Sequence, residues 1–509
     1  MGPTRIFVIG LDGATFDLIH PWIQEGKLPT LGKLMKTSSY GLLESTIPPL
    51  TAPAWTSFMT GVNPGKHGVF DFLGTAADSS EKVLVNSSYI RSRKFWDIAG
   101  DRGKKSIILY VPLTYPAEKT EGILISGIPA PGKASRIYPE AMEKELEEKV
   151  GPWWVEVKEE WFRDLGEKTF SDEIEKGLET RFRVANYLIR REWDIFVLVF
   201  SETDITQHLL WQKKEEALFP LYRKIDGMIG DLWGKLEEQD MLLILSDHGA
   251  GPVRKVLYLN SWLKEKGFLS SRKKWVRKER GPTLEIFRRP ERTPFLGRWK
   301  GILGRRKEVI DWNRTEAHFL NLGQLPGVWI NLPGQKMERY GEVCSRVMAE
   351  LEGMVDDGKR VVEKVFRRET IYSGPYVKNA PDILFLPDLE YLLSERIRSY
   401  VFKNKEDGTA SHRLHGIFLL CGPGVRKGKR IEGGHIMDVA PTILHLLGLP
   451  VPQGMDGRVL TDALQSDFLE SAPVRFEDVP LEVDPSKYEM TEKEAEEVKK
   501  MLKGLGYID

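Results

Sequence analysis

The run Met241-Leu242-Leu243-Ile244-Leu245-Ser246-Asp247-His248-Gly249 takes five apolar residues straight into Asp-His-Gly. A run this short and this apolar fits a strand buried on both faces, of the kind found in parallel sheets. Neighbouring residues of a strand point to opposite faces. Asp247 and His248 can therefore serve one site only from the loop past the strand end. Gly249 would allow the turn that puts them there. Burying an Asp and a His beside such a strand is costly without a partner, and a metal ion is the economical one.

Similar runs recur on either side. Arg5–Leu11, Ser106–Val111, Gly122–Ser126 and Ile195–Phe200 read as strands, and Ile383–Leu386 is expected to extend the same sheet. Gly416–Cys421 is a further apolar run. Helical patterns lie between them at Phe16–Glu25, Leu31–Lys36, Pro139–Lys149 and Asp172–Arg190. This alternation predicts an α/β fold, a mostly parallel central sheet with helices on both faces. The first run ends at Asp12-Gly13. A carboxylate there points into the crevice where open α/β sheets bind ligands, and a helix cap is its alternative role.

Pro48-Pro49-Leu50-Thr51-Ala52-Pro53 keeps the chain extended before a helix expected over Ala54–Met59 and stopped near Gly61. A Thr51 hydroxyl at this strand-to-helix turn is placed to attack phosphorus beside the N–H groups of the helix start. A plain N-cap is the structural alternative. The stretch Gly61-Val62-Asn63-Pro64-Gly65-Lys66-His67 is one residue short of a phosphate loop and ends in His instead of Ser or Thr. A phosphate loop is rejected, and His67 reads as a turn or packing residue.

Two more stretches carry ligand chemistry. Asp204 and His208 are four apart after the strand ending at Phe200, so on a helix they share a face. One carboxylate and one imidazole suit a zinc-like ion. Before the run Ile417–Cys421 stand His412 and His415, either of which could complete a site. Asp12, Thr51, Asp204, His208, Asp247, His248 and one later His suit two divalent ions about 3.5–4 Å apart around a hydroxyl. No Ser-His-Asp spacing or nucleophile elbow competes with them.

The chain has 509 residues with 41% hydrophobic content and zero formal net charge, so it is not a polyanion binder as a whole. Cys344 and Cys421 are far apart and show no CxxC spacing, which excludes a disulfide framework or a thiolate zinc site. No apolar run is long enough to span a bilayer, and the start of the chain lacks the shape of a signal peptide. A cytoplasmic location is the expectation. Residues 271–310 carry fourteen Lys or Arg against four Glu, with Trp275, Phe287, Phe295 and Trp299 among them. They read as a solvated insertion or lid at about 266–320, or else as a platform for nucleic acid or anionic lipid. The expected organisation is a catalytic domain over 1–460 and a tail over 461–509. Thr491-Glu492-Lys493-Glu494 is a capping box opening a last helix through Leu502.

In their order these motifs resemble the alkaline phosphatase superfamily. They look most like its type I phosphodiesterase/nucleotide pyrophosphatase branch. The matching residues are Asp12, Thr51 with Pro53 and Thr60-Gly61, Asp204 and His208, Asp247 and His248, and His412 within His-Arg-x-x-Gly-Ile. The segments Asp438–Pro450, Met455–Gly457 and Leu502–Tyr507 are also similar to that superfamily. The resemblance implies a three-layer α/β/α sandwich with insertions that hydrolyses phosphoric esters through a phosphothreonine at Thr51. It implies two divalent ions, zinc or else manganese. Asp204, His208 and His412 would hold one, and Asp12, Asp247 and His248 the other, with Thr51 near both. A small phosphoester such as a nucleotide is the implied substrate, and a phosphomonoesterase or phosphotransferase on the same core is the alternative. Two features depart from relatives. Ala54 stands where nucleotide pyrophosphatases carry an Asn that binds phosphoryl oxygens. The Cys-x-Pro-x-Arg signature of sulfatases is absent, with Thr51 and Trp55 at its ends.

Overall fold

The computed structural model describes residues 5–75, 82–132, 134–154, 167–276, 305–320, 326–332, 338–388, 390–406, 408–484 and 488–504. A nine-stranded sheet forms the centre. In chain order its strands are β1 (Ile6–Leu11), β2 (Ser39–Glu44), β3 (Ser106–Leu109), β4 (Gly122–Ile125), β5 (Ile137–Tyr138), β6 (Ile195–Phe200), β7 (Met241–Leu245), β8 (His415–Cys421) and β9 (Lys429–His435). Across the sheet they lie β9-β2-β8-β7-β1-β6-β3-β4-β5. Only β5 and β8 run against the others.

Every residue of β1, β6 and β7 is buried, as the apolar runs require when helices cover both faces. The architecture is a three-layer α/β/α sandwich around a mostly parallel sheet. Two helices position the site: α1 (Thr51–Thr60) and α2 (Glu202–Leu210). Some ends differ from the sequence reading. β3 stops at Leu109 because Tyr110 turns into the left-handed region at φ 62°. The helices expected over Pro139–Lys149 and Asp172–Arg190 run over Met142–Lys149 and Glu167–Leu188.

Ile383–Pro387 does not extend the central sheet. It pairs with Gly327–Ile330 and Val362–Arg367 in a separate four-stranded sheet. That sheet belongs to a second core, which includes Leu257, Trp262, Val347, Leu351, Phe385 and Val401. Four apolar residues look the same in either sheet, and only the neighbours they meet decide between them. This second core draws on residues from Leu257 to Val401, well beyond the 266–320 segment. Ser271–Val276 and Arg305–Ile310 pair as a hairpin at the ends of the basic segment. Its middle, 277–304, lies outside the described residues.

The capping box forms: Thr491 N–H donates to Glu494 Oε2 at 2.8 Å, and Glu494 N–H to Thr491 Oγ1 at 3.3 Å. The helix it opens, Glu492–Gly504, buries Val498, Met501 and Leu502 in the main core. Cys344 and Cys421 are buried free thiols. Among the described residues no helix is long and apolar enough to cross a membrane.

Candidate active site

Three adjacent parallel strands deliver the polar cluster from their carboxyl ends. Asp12 follows β1, and its N–H is held by Phe200 O at the end of β6. Asp247 and His248 follow β7 in the bend, where both can face one side. After β6 the chain turns into α2, whose first turns carry Asp204 and His208 on one face. His412 lies on the short strand Ala410–Arg413, opposite Ala250 of Gly249–Pro252. Thr51 is the first residue of α1.

All of these side chains meet. Thr51 Oγ1 is 3.1 Å from His248 Nε2. His248 Nε2 lies 3.3 Å from Asp247 Oδ2 and 3.6 Å from Asp12 Oδ1. The His248 and His412 rings stack at 3.8 Å. His412 Nε2 lies 2.9 Å from His208 Nε2 and 3.7 Å from Asp204 Oδ1, and His208 Nε2 is 3.3 Å from Asp204 Oδ2. Asp12, Asp247 and His248 are wholly buried. His415, three residues beyond His412, is exposed and outside the cluster.

Thr51 does not cap its helix. Leu50 is the N-cap, so the Thr51 side chain is released to the site. Nor is Asp12 a cap, since Thr15 caps the helix Phe16–Gln24. Gly249 serves differently from the expectation. A Cβ there would come within 2.3 Å of His415 O, so it permits close approach of two strands. Gly13 takes the left-handed turn instead, at φ 66°, and its N–H donates to Asp247 Oδ1 at 3.2 Å.

The three imidazoles share one arrangement. Nδ1 of His208 faces Ala410 O at 3.0 Å, that of His412 faces Pro49 O at 3.0 Å, and that of His248 faces Gly249 O at 2.9 Å. A neutral ring that donates from Nδ1 has its lone pair on Nε2. The three Nε2 lone pairs therefore converge on the carboxylates and on each other. Two such lone pairs 2.9 Å apart, as in His208 and His412, require a proton or a cation between them.

Charges in the cluster point the same way. Burial, then the Asp247 and Asp204 charges, push the Asp12 carboxyl well above its usual range. Burial also raises Asp247, against the pull of His248. At Asp204 burial acts upward, but the His208, His412 and His248 rings together outweigh it and hold the carboxyl below its usual range. Burial lowers His208, but Asp204 outweighs it and the ring sits above its usual value. Burial and the His248 ring push His412 well below. Three carboxylates this close ionise together only when cations stand among them.

The donor set fits divalent metal ions. Asp12 Oδ1 and Asp247 Oδ2 are buried and receive no hydrogen bond among the described residues. Asp204, His248 and His412 form one group of ligand atoms within 4.8 Å of one another, and Asp12, Asp247 and His248 form another. His248 thus stands in both, whereas the resemblance implied His208 in the first set. The sequence reading missed the supports of the cluster: Gly13, the carbonyls that orient the rings, and Gln207, whose Nε2 donates to Gly13 O at 3.0 Å. Only the Asp-Gly dipeptide carried a signal. Backbone carbonyls are identical at every position and carry none.

A family model described as type I phosphodiesterase/nucleotide pyrophosphatase matches residues 6–417, a span holding all seven clustered residues. The chain belongs to this family. The solved phosphonoacetate hydrolase of Sinorhizobium meliloti is similar in fold, with a TM-score of 0.59 at 15% identity, covering 87% of this chain and 95% of that one. Murine ectonucleotide pyrophosphatase/phosphodiesterase 5 aligns with a TM-score of 0.53 at 14% identity, over 91% of this chain and 100% of that one. One curated relative, the 2,3-bisphosphoglycerate-independent phosphoglycerate mutase of Laribacter hongkongensis, is 47% identical over 45 residues, 9% of this chain. The chain spans 9% of that relative's length. This member of the family has an alkaline-phosphatase-like fold and two candidate groups of metal-ligating side chains.

Proposed function

We propose that the protein is a two-metal phosphodiesterase or nucleotide pyrophosphatase that works through a phosphothreonine at Thr51. The carrying observation is the Thr51 hydroxyl 3.1 Å from His248 Nε2, since His248 stands in both ligand groups. Asp204, His208 and His412 would hold one ion and Asp12, Asp247 and His248 the other, with His248 at the edge of the first. The nitrogen and oxygen donors suit zinc, with manganese second. Bound there, divalent ions supply charge neutralisation and a lowered pKa for an oxygen nucleophile.

Thr51 Oγ forms the new bond to phosphorus while the bond to the leaving oxygen breaks. Water then cleaves the phosphothreonine ester and restores the hydroxyl. Thr51 begins α1, so the partial positive charge of the helix start favours the phosphate. Ala54 offers no side-chain amide, so nucleotide selectivity must come from other groups. Murine ectonucleotide pyrophosphatase/phosphodiesterase 5 has been solved as an inactive threonine-to-alanine variant in complex with AMP, which supports both the threonine and a nucleotide substrate.

Thr51→Ala is expected to keep its fold and its metal while turnover of bis-p-nitrophenyl phosphate falls more than about 10³-fold. Mass spectrometry of quenched wild-type enzyme should find phosphate on Thr51. Near-normal turnover by the variant would remove Thr51 from the chemistry. The stretch similar to a phosphoglycerate mutase favours, as a second reading, a phosphomonoesterase or phosphotransferase. Faster turnover of p-nitrophenyl phosphate than of its bis ester would select it.

A further inference from the structure

Trp55 lies four residues after Thr51, one helical turn along α1, so both side chains look the same way. Its ring is wholly buried, and its Nε1–H points at Asp12 Oδ2 from 3.4 Å. Phe58 meets the ring edge-on at 5.2 Å and in turn meets Phe95 at 5.6 Å. On another side lies Gly10 of β1, where a Cβ would stand 2.4 Å from the end of the indole. The slot exists because position 10 has no side chain.

An indole N–H can only donate. Set on Oδ2, it leaves Oδ1 as the atom of Asp12 turned toward His248 Nε2, at 3.6 Å. The same bond ties the carboxylate on β1 to the helix that begins with Thr51. Any buried indole N–H needs an acceptor, and Trp193 finds one in the backbone carbonyl of Ile189. Trp55 instead takes a carboxylate of the site, whereas phenylalanine would fill most of its space without that bond.

We infer that Trp55 is a positioning residue for the ion held by Asp12, Asp247 and His248: its indole N–H fixes which oxygen of Asp12 faces that ion and how far the ion's site lies from Thr51. The inference rests on the two-metal reading of the same site. Groups that orient a metal ligand from behind typically account for about 10–100-fold in metal affinity.

Isothermal titration calorimetry with zinc and with manganese, on the full chain stripped of metal, tests it. Trp55→Phe should lose about tenfold or more in affinity at one of two sites, leave the other unchanged, and keep the wild-type far-ultraviolet spectrum. Gly10→Ala, which retains the indole but crowds it, should weaken the same site, and it carries the test if Trp55→Phe does not fold. Wild-type affinity at both sites in either folded variant overturns the role of Trp55 and leaves the two-metal reading standing. A wild-type chain that binds neither ion overturns both.

Discussion

Two histidines three residues apart, His412 and His415, have unlike fates because a strand alternates its faces and ends between them. His412 is turned inward by the bond from its Nδ1 to Pro49 O, and His415 opens β8 on the surface. His412→Ala is expected to lower the metal content measured by elemental analysis, and His415→Ala to leave it at the wild-type value. A full complement of metal in His412→Ala would remove it from the ligands and favour His415. His67 is a residue of another kind. It is wholly buried, receives the Val69 N–H at Nδ1, and faces Ser57 Oγ at 3.0 Å from Nε2. Burial pushes its pKa down to about 3, against about 6.5 in an unfolded chain. Below about pH 6.5 the unfolded chain takes up a proton that the folded chain refuses, so stability falls with pH by up to about 1.4 kcal/mol per unit until about pH 3. Thermal melts between pH 7 and pH 4 should show a shallower decline for His67→Gln than for the wild type. An unchanged slope would place the loss elsewhere. The reading of His67 as a packing residue needed only its failure to fit a phosphate loop. Trp55 gave no such hint, since an indole in an apolar helix reads as core.

At the scale of elements, α1 is the unit that presents Thr51 to the cluster. Pro48 and Pro49 keep the chain from entering it early, and the helix includes Thr51, three residues before its expected start. Gly61 ends it at φ 69°, with its N–H on Ser57 O, and a Cβ there would stand 2.9 Å from Met455 Sδ. Gly61→Ala should cost about 1–2 kcal/mol from the left-handed backbone alone, and more from the crowding of Met455. Urea unfolding would measure it, and a loss under half that size would show that the helix end relaxes. At its other end the N-cap Leu50 packs with Tyr372, Ala380 and Leu384, the last on a strand of the four-stranded sheet. Strand cores were legible because burial on both faces demands unbroken apolar runs, as in β1, β6 and β7. Strand ends were not, because a turn such as that at Tyr110 depends on what the next residues meet.

Over the whole molecule, the sheet gathers polar side chains that the chain scatters from Asp12 to His412. Adjacency of β7, β1 and β6 places Asp247, Asp12 and Asp204 side by side, and the antiparallel return through Ala410–Arg413 adds His412. The sequence by itself determined the α/β class, the buried strands and the residue types that the cluster contains, because hydrophobic period and residue chemistry are local properties. It did not determine which sheet takes Ile383–Pro387, how much of the chain the second core draws on, or that His248 stands in both candidate ligand groups. Those were decided by tertiary structure. Strand order, the second core and the 2.9 Å meeting of His208 with His412 come from contacts between residues some two hundred positions apart, which no local pattern encodes.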